Sequence, residues 1–199
     1  MSNRSPAAPS TPSDLYISWA DYHQAIEQLA VKLYRSQWTF DQILCLARGG
    51  LRIGDLLSRI FKTPLAILST ASYSGQQGQV QGSLTIAHHL TMTTPQLGSQ
   101  VLIVDDLLDS GITLDQTLAW IKTHHGQETH TYRTAVLWWK ASSKVAPDFY
   151  VHYLEHSPWI HQPFEYYESL SLDHLAQQHE TEDLRESRAG LSLTPSPQV

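Results

Sequence analysis

Apolar positions along the chain follow two alternating spacings, one typical of amphipathic helices and the other of buried strands. Helical spacing covers residues 19–36, 52–61 and 113–124, and Ser18 is the expected N-cap of the first helix. Short apolar runs typical of buried strands cover residues 40–46, 65–69, 101–104, 132–138 and 149–154. Strands that alternate with helices in this way predict an α/β fold with a central, mainly parallel five-stranded sheet flanked by helices.

Three segments lie outside this pattern. Residues 1–13 are rich in Ser, Pro and Ala, and together with residues 180–199 they are expected to be disordered tails around one domain, 14–179. Residues 70–97 are rich in Gln, Gly, Ser and Thr, with one weak strand-like run at 83–87. A polar segment of this length within a compact domain favours a flexible lid over a twisted hairpin.

Composition narrows the function classes. The net charge of −6 argues against a general nucleic-acid surface or an anionic membrane as partner. The chain has no apolar run of signal-peptide or membrane-spanning length, so a cytoplasmic location is expected. Cys45 is the only cysteine and lies in an apolar run, which predicts a buried structural thiol and excludes an intramolecular disulfide.

The candidate chemistry is concentrated in residues 101–113, which read VLIVDDLLDSGIT. A buried strand here delivers Asp105 and Asp106 to the edge of the sheet, and a turn at Gly111 leads into a helix near Thr113. The N–H groups and dipole of a helix N-terminus suit a phosphate, whereas carboxylates suit sugar hydroxyls or Mg²⁺. A phosphate-and-ribose site is therefore favoured.

Three other interpretations of this segment explain it less completely than a ligand site does. The aspartates could merely cap the helix, but capping explains one of the three and not all of them. An aspartyl-phosphate or metal-phosphatase site would use Asp105 and Asp106 but would leave the Ser-Gly-Ile-Thr turn without a purpose. A nucleotide P-loop is disfavoured because the chain contains no GxxxxGK[ST] sequence.

The segment resembles the phosphoribosyl-diphosphate (PRPP) motif of type I phosphoribosyltransferases. The resemblance implies that Asp105 and Asp106 hold the ribose hydroxyls and help to place Mg²⁺. It assigns the 5-phosphate of PRPP to the turn formed by Asp109, Ser110, Gly111, Ile112 and Thr113. It also implies the type I fold, with a flexible lid and a small C-terminal hood, and a homo-oligomer, dimeric or tetrameric.

Further residues resemble the 6-oxopurine branch of that family, and the xanthine–guanine enzymes most. Asp109 resembles the residue that faces purine N7 as general acid/base. Lys140 resembles the lysine that binds the 6-oxo group. The segment 159–164, WIHQPF, resembles one in which the ring corresponding to Trp159 stacks on the purine and the backbone carbonyl of Ile160 accepts from the base.

The diphosphate end of the predicted site is less regular. The turn 47–51, Ala-Arg-Gly-Gly-Leu, resembles the family's diphosphate-binding turn, which often holds a cis peptide. This resemblance implies that Arg48 and Gly49 bind the diphosphate. Ser72 and Tyr73 resemble the Ser-Tyr pair of the closing loop. Relatives carry basic residues in that loop, but here no Lys or Arg occurs between Lys62 and Lys122. Arg48, Arg52 or the histidines at 88–89 are candidates to supply the missing charge.

The leading hypothesis is a pentosyltransferase that moves 5-phosphoribose from PRPP to guanine, xanthine or hypoxanthine and releases diphosphate, with Mg²⁺ as cofactor. A regulatory protein of the same fold, which binds PRPP or a nucleotide without useful catalysis, is the alternative that the uncharged lid supports. A transferase for another base stays open because base choice depends on only a few side chains.

Overall fold

A computed structural model describes residues 14–72, 84–127 and 129–189 of the chain. The expected N-terminal tail, residues 73–83 of the expected lid (Tyr73 among them) and residues 190–199 lie outside the described residues. The helices are α1 (Trp19–Arg35), α2 (Leu51–Phe61), α3 (Ile112–His124), α4 (Tyr166–Ser169) and α5 (Leu172–Ala189). The strands are β1 (Leu15–Tyr16), β2 (Gln42–Ala47), β3 (Leu65–Ser72), β4 (Leu84–Ile86), β5 (Thr91–Met92), β6 (Gln100–Leu108), β7 (Thr131–Lys140), β8 (Phe149–Leu154) and β9 (Ile160–His161).

The central sheet has the strand order β4-β3-β2-β6-β7-β8. The five strands β3, β2, β6, β7 and β8 are mutually parallel, which confirms the parallel five-stranded sheet expected from the sequence. Two short strands, β4 and β5, pair antiparallel with β3 and come from the segment expected to be a lid. The weak run at 83–87 therefore contributes a real strand at the edge of the sheet.

Alternate residues of the buried strands face opposite layers of helices. In β2, Ile43 and Cys45 pack with the residues of α1 and α2, whereas Leu44 and Leu46 pack with Leu114 and Ile121 of α3. Both faces of a parallel sheet covered by crossover helices must be apolar, and this explains why these strands read as uninterrupted hydrophobic runs.

The helix ends follow the local sequence closely. Ser18 caps α1 in a reciprocal capping box, in which its hydroxyl accepts from the N–H of Asp21 and the Asp21 carboxylate accepts from Ser18. The expectation that residues 180–199 form a disordered tail is wrong for its first ten residues, because α5 continues to Ala189. Its Leu, Ala, Gln, Glu and Arg residues have high helix propensity, which the low hydrophobicity of the segment concealed.

Cys45 is a buried structural thiol, as its apolar surroundings predict. The side chain is fully buried, and burial raises the pKa of the thiol to about 12. Within the described part of the chain, no helix is both long and apolar enough to cross a membrane.

The start of β6 is tied to the start of β2 by Asp41. Its carboxylate accepts from the Ser99 N–H at 3.0 Å, the Ser99 hydroxyl at 2.8 Å and the Gln100 N–H at 2.9 Å. Burial alone would raise the pKa of Asp41, but the hydrogen bonds from Gln100 and Ser99 together lower it below its usual value.

Replacement of Asp41 by Asn is expected to lower the free energy of unfolding at pH 7 by about 1 kcal/mol, because the amide cannot accept all of these bonds. A group with a lowered pKa in the folded state contributes stability above its unfolded pKa and loses it as the pH falls through the folded pKa. The gap between wild type and Asp41→Asn should therefore close in acid. Denaturant titrations from pH 7 to pH 3 measure it, and Asp55→Asn, which removes only an exposed pair with Arg59, is the control. A gap independent of pH would contradict this role of the carboxylate.

Candidate active site

The candidate site lies where β6 extends past its neighbour β2. The β2–β6 pairing ends at Cys45 and Val104, whereas β6 continues alongside β7 as far as the pair of Leu108 and Trp139. Because β2 ends two residues later, at Ala47, and the chain turns into α2, the last residues of β6 lie at the open carboxyl edge of the sheet. Ligands of open α/β sheets bind at this edge.

Gly49 lies against the two adjacent carboxylates of β6. A Cβ atom at Gly49 would lie 2.4 Å from Asp106 Oδ1 and 2.8 Å from Asp105 Oδ1. Both carboxylates therefore face the same small space above the turn, and only glycine leaves room for them. The N–H of Asp106 also donates to Asp105 Oδ1 at 3.0 Å.

The acid pair is electrostatically unsatisfied. Burial raises the pKa of the Asp105 carboxyl well above its usual range, and the neighbouring charge of Asp106 raises it further. Burial also raises the pKa of Asp106. Among the residues that the structure describes, no Lys or Arg lies within ion-pair distance of either carboxylate. A half-buried pair of carboxylates without a cation favours a bound cation or hydroxyl donors from a ligand.

The turn that follows β6 forms a cradle at the start of α3. Gly111 has a φ of +81° and is the N-cap residue, without a side-chain cap. The N–H of Ile112 donates to Ser110 Oγ at 3.4 Å, and the next N–H groups of the first turn are left for a ligand. A cavity of about 200 Å³ opens here, lined on the turn side by Asp109, Ser110, Gly111 and Thr113 and on the strand side by the acid pair. The geometry suits one phosphate group beside a sugar.

Residues 143–145, after β7, hold this turn in place. The N–H of Lys144 donates to the carbonyl of Ser110 at 3.2 Å. A Cβ on Gly111 would lie 2.6 Å from Val145 Cγ2 and 2.7 Å from Ser143 Oγ. Gly111 is thus required both by its backbone conformation and by close packing.

Asp109 and Lys140, 31 residues apart in sequence, form an ion pair in the site. Lys140 ends β7 with only 5% of its surface exposed, and its Nζ donates to Asp109 Oδ2 at 3.1 Å. The Ser142 hydroxyl donates to the other carboxylate oxygen at 3.2 Å. The sequence did not single out Ser142, since a serine two positions after a lysine carries no distinctive signal. Lys140 could in principle have been a solvated lysine at the end of a strand, but its burial and its bond to Asp109 exclude this.

A second and larger cavity lies on the other side of Asp106. It has a volume of about 510 Å³ and is lined by Arg48, Gly49, Arg52, Asp106, Phe164 and Glu168, among others. Arg48 Nη2 donates to Glu168 Oε1 at 3.0 Å across its mouth, and the Ala47–Arg48 peptide bond is cis. Ser72 ends β3 opposite Leu84, but its side chain, like Tyr73, lies outside the description.

The strands β1 and β9 form a small separate sheet that corresponds to the predicted hood. The N–H of Leu15 donates to the Trp159 carbonyl at 2.8 Å, and that of Ile17 to the His161 carbonyl at 3.0 Å. Strand alternation therefore directs the Ile160 carbonyl to the opposite edge, away from β1. The Ile160 side chain is buried in the core, whereas the Trp159 ring is 65% exposed.

Gln162 connects the hood to the acid pair. Its side chain is 6% exposed, its Nε2 donates to Asp106 Oδ2 at 3.4 Å, and its buried Oε1 has no partner among the described residues. Gln162 lies in the segment 159–164, but the family resemblance of that segment assigned roles only to Trp159 and Ile160. Gln162, three positions after the exposed Trp159, thus ties this end of the hood to Asp106.

Comparison with known proteins agrees with this geometry. A family model described as a phosphoribosyl transferase domain matches residues 18–169. The chain belongs to the phosphoribosyltransferase family. The phosphoribosyltransferase assignment accounts for the parallel sheet, its two layers of helices and the acid-bearing β6 as a type I fold.

Individual relatives of this phosphoribosyltransferase include a xanthine-guanine phosphoribosyltransferase of Gluconobacter oxydans. That protein is 31% identical over 110 residues, which is 53% of this chain and 61% of the relative's length. A solved purine phosphoribosyltransferase of Pyrococcus horikoshii is 28% identical with a TM-score of 0.61, over 76% of this chain and 93% of that one. A Helicobacter pylori xanthine-guanine-hypoxanthine enzyme, 20% identical, shares the fold with a TM-score of 0.61 over 79% of this chain and 99% of its own.

Replacement of Gly111 tests the cradle without any ligand. Gly111→Ala is expected to lower the free energy of unfolding by about 1–3 kcal/mol, because an alanine is strained at this φ. Gly111→Asn, which tolerates positive φ, should recover part of the loss but not all, since its Cβ still meets Val145 and Ser143. Guanidinium unfolding of both variants measures the two contributions. Wild-type stability for Gly111→Asn would contradict the close packing of the turn.

Proposed function

We propose that this chain transfers 5-phosphoribose from PRPP to a 6-oxopurine (guanine, xanthine or hypoxanthine) and releases diphosphate. The observation that carries the proposal is the ion pair of Asp109 with the buried Lys140, placed beside the phosphate cradle. This pair supplies a carboxylate to handle a ring proton and a cation to bind a carbonyl oxygen. The xanthine-guanine and purine activities named for two of the relatives support the same substrate class.

PRPP would lie across the two cavities that meet at Asp106. Its 5-phosphate would take the N–H groups at the start of α3, with Ser110 and Thr113 beside it. The ribose hydroxyls would donate to Asp105 and Asp106, and the diphosphate would extend into the larger cavity next to Arg48 and Gly49. The contribution of Ser72 and Tyr73 to diphosphate binding stays a prediction.

The acid pair fits a magnesium ion. Two carboxylates that share one space without a protein cation are hard oxygen ligands, and Mg²⁺ is commonly held by one or two carboxylates plus substrate phosphates and water. Among the described residues there is no cluster of three or more potential metal ligands, so most of the ligands would come from PRPP and solvent. When bound, the ion would neutralise charge on the diphosphate as it leaves.

The base would lie between the ion pair and the hood. An ammonium group has three donors, so Lys140 can keep its bond to Asp109 while it donates to the 6-oxo group. The exposed Trp159 ring offers a stacking surface, and the Ile160 carbonyl, directed away from β1, offers an acceptor for the other edge of the purine.

The reaction then assigns a proton to Asp109. The purine nitrogen forms a bond to C1 of the ribose while the C1–O bond breaks and its electron pair leaves with diphosphate. The proton on N7 passes to the Asp109 carboxylate, which Lys140 and Ser142 hold by its two oxygens. Asp105 and Asp106 favour the positive charge that develops on the ribose.

A binding protein without useful catalysis is the second candidate, and the absence of Lys and Arg between residues 62 and 122 is the observation that favours it. The ion pair of Asp109 with Lys140 opposes it, since a sensor has no need for a proton acceptor at the base. The homo-oligomer and the cytoplasmic location expected from the sequence stay predictions.

Turnover of guanine, xanthine and hypoxanthine with PRPP and Mg²⁺, followed by release of diphosphate, tests the proposal directly. Asp109→Asn should lower kcat by about 10²–10⁴-fold and leave nucleotide binding in place, because it removes the proton acceptor while the amide oxygen can still accept from Lys140. Asp115→Asn, an exposed acid in the first turn of α3, is the matched control. A wild type that binds PRPP but turns over none of the three bases would favour the sensor.

Removal of the stacking surface should weaken base binding alone. Trp159→Leu is expected to raise the KM for the base about tenfold, because stacking on an aromatic ring contributes about 1–3 kcal/mol. The KM for PRPP should not change. Tyr34→Leu serves as the control, because Tyr34 is also an exposed aromatic residue but lies on α1. Initial-rate kinetics with each substrate varied in turn distinguish the two constants; an equal rise in both would argue against a base-stacking role.

A further inference from the structure

We infer that Arg52 is a second diphosphate-binding cation of this chain and supplies the positive charge that the segment 70–97 lacks. The identity of the anion rests on the proposed function, whereas the anion site itself rests on the geometry around Arg52. Nothing in the family resemblance assigns this residue a role.

Arg52 lies at the mouth of the larger cavity, on the second residue of α2. The same cavity is lined by Arg48 and Gly49, which precede α2, and by Asp106 of the acid pair. An anion bound beside the acid pair would therefore lie within reach of both arginines. The cavity volume of about 510 Å³ leaves room for a diphosphate group.

Two aromatic rings hold the Arg52 guanidinium in place. Its Cζ lies 4.9 Å from the centre of the Phe164 ring and 5.4 Å from that of Trp19. The N–H donors of a guanidinium packed against aromatic rings stay free to bind an anion. Because packing already restricts the side chain, less conformational entropy is lost when the anion binds. In the described ranges, no carboxylate lies within ion-pair distance of Arg52. Its donors are thus positioned and not committed to an acid.

The position of Arg52 in its helix also points to an anion. A cation in the first turn is normally unfavourable, because the helix dipole places partial positive charge at the N-terminus. The N-cap of α2 is Gly50, which has no side chain to accept from the first N–H groups, and the first turn contains no acidic residue. An anion bound at this end would offset both the dipole and the charge of Arg52.

Arg48 alone does not supply the required charge in this structure. Its side chain is 84% exposed and is paired with Glu168 across the cavity mouth. The cavity also contains the negative charge of Asp106. With no Lys or Arg between residues 62 and 122, Arg52 is the cation that balances a diphosphate here.

Titration of inorganic diphosphate, in the presence of Mg²⁺, into Arg52→Gln tests the inference by calorimetry. The Kd for diphosphate is expected to rise about tenfold, the loss of one charge-assisted contact. The KM for PRPP should rise by a similar factor with kcat little changed. Arg59→Gln removes the same charge from the same helix, but Arg59 pairs with Asp55 away from the cavity, so its diphosphate affinity should equal that of wild type.

Guanosine 5′-monophosphate, which carries a 5-phosphate but no diphosphate, separates a local effect from a general one. Its affinity should not change in Arg52→Gln, and Arg52→Lys should bind diphosphate with intermediate affinity, because it keeps the charge without the planar fork. Wild-type diphosphate affinity in Arg52→Gln, or an equal loss of monophosphate binding, would overturn the inference. So would a wild type that does not bind diphosphate. Because the titration with inorganic diphosphate needs neither a base nor turnover, its result does not depend on whether the protein uses a purine.

Discussion

The half-buried pair Asp105 and Asp106 is the constraint on which the rest of the site depends. Two carboxylates so close together, with no protein cation beside them in the described ranges, must be balanced by whatever binds there. Gly49 lies on one side of them, the phosphate cradle on the other and Gln162 beneath the hood. Gln162 supplies one weak hydrogen bond to Asp106 and no neighbour among the described residues supplies a positive charge, so the carboxylates stay open to a cation and to the hydroxyls of a sugar.

Charge is distributed around that pair in a definite order. The cations of the site lie at its two ends, Lys140 beside Asp109 and Arg48 with Arg52 at the larger cavity. Asp105 and Asp106 lie between them, where the proposed reaction would place positive charge on the ribose. Both ion pairs that border the cavities, Lys140 with Asp109 and Arg48 with Glu168, involve acids from other segments of the chain.

The scaffold explains how side chains from distant segments keep this order. β6 carries the acids, and its neighbour β7 ends in Lys140 at the same edge of the sheet. The turn before α2 brings Gly49 to within contact of the acids because β2 ends short of β6. The hood adds Gln162 from the C-terminal part of the chain through a single contact with Asp106. Parallel strands bring all of these ends to one edge, so the site needs no long connecting loops.

By itself the sequence determined the five parallel strands, the Ser18 cap of α1 and the segment 101–113, because hydrophobic period and turn chemistry are local properties of neighbouring residues. It also named Asp109, Lys140 and Arg48, but it carried no information about what each side chain contacts. Only the tertiary structure decided that Lys140 is buried against Asp109 and that Arg48 pairs with Glu168. It also decided that Ser142 donates to Asp109 and that Gln162 donates to Asp106. It also extended α5 into residues expected to be a tail, and it placed Arg52 between two aromatic rings. Those contacts join residues that are far apart in sequence, and their energy depends on burial and distance, which exist only once the chain has folded.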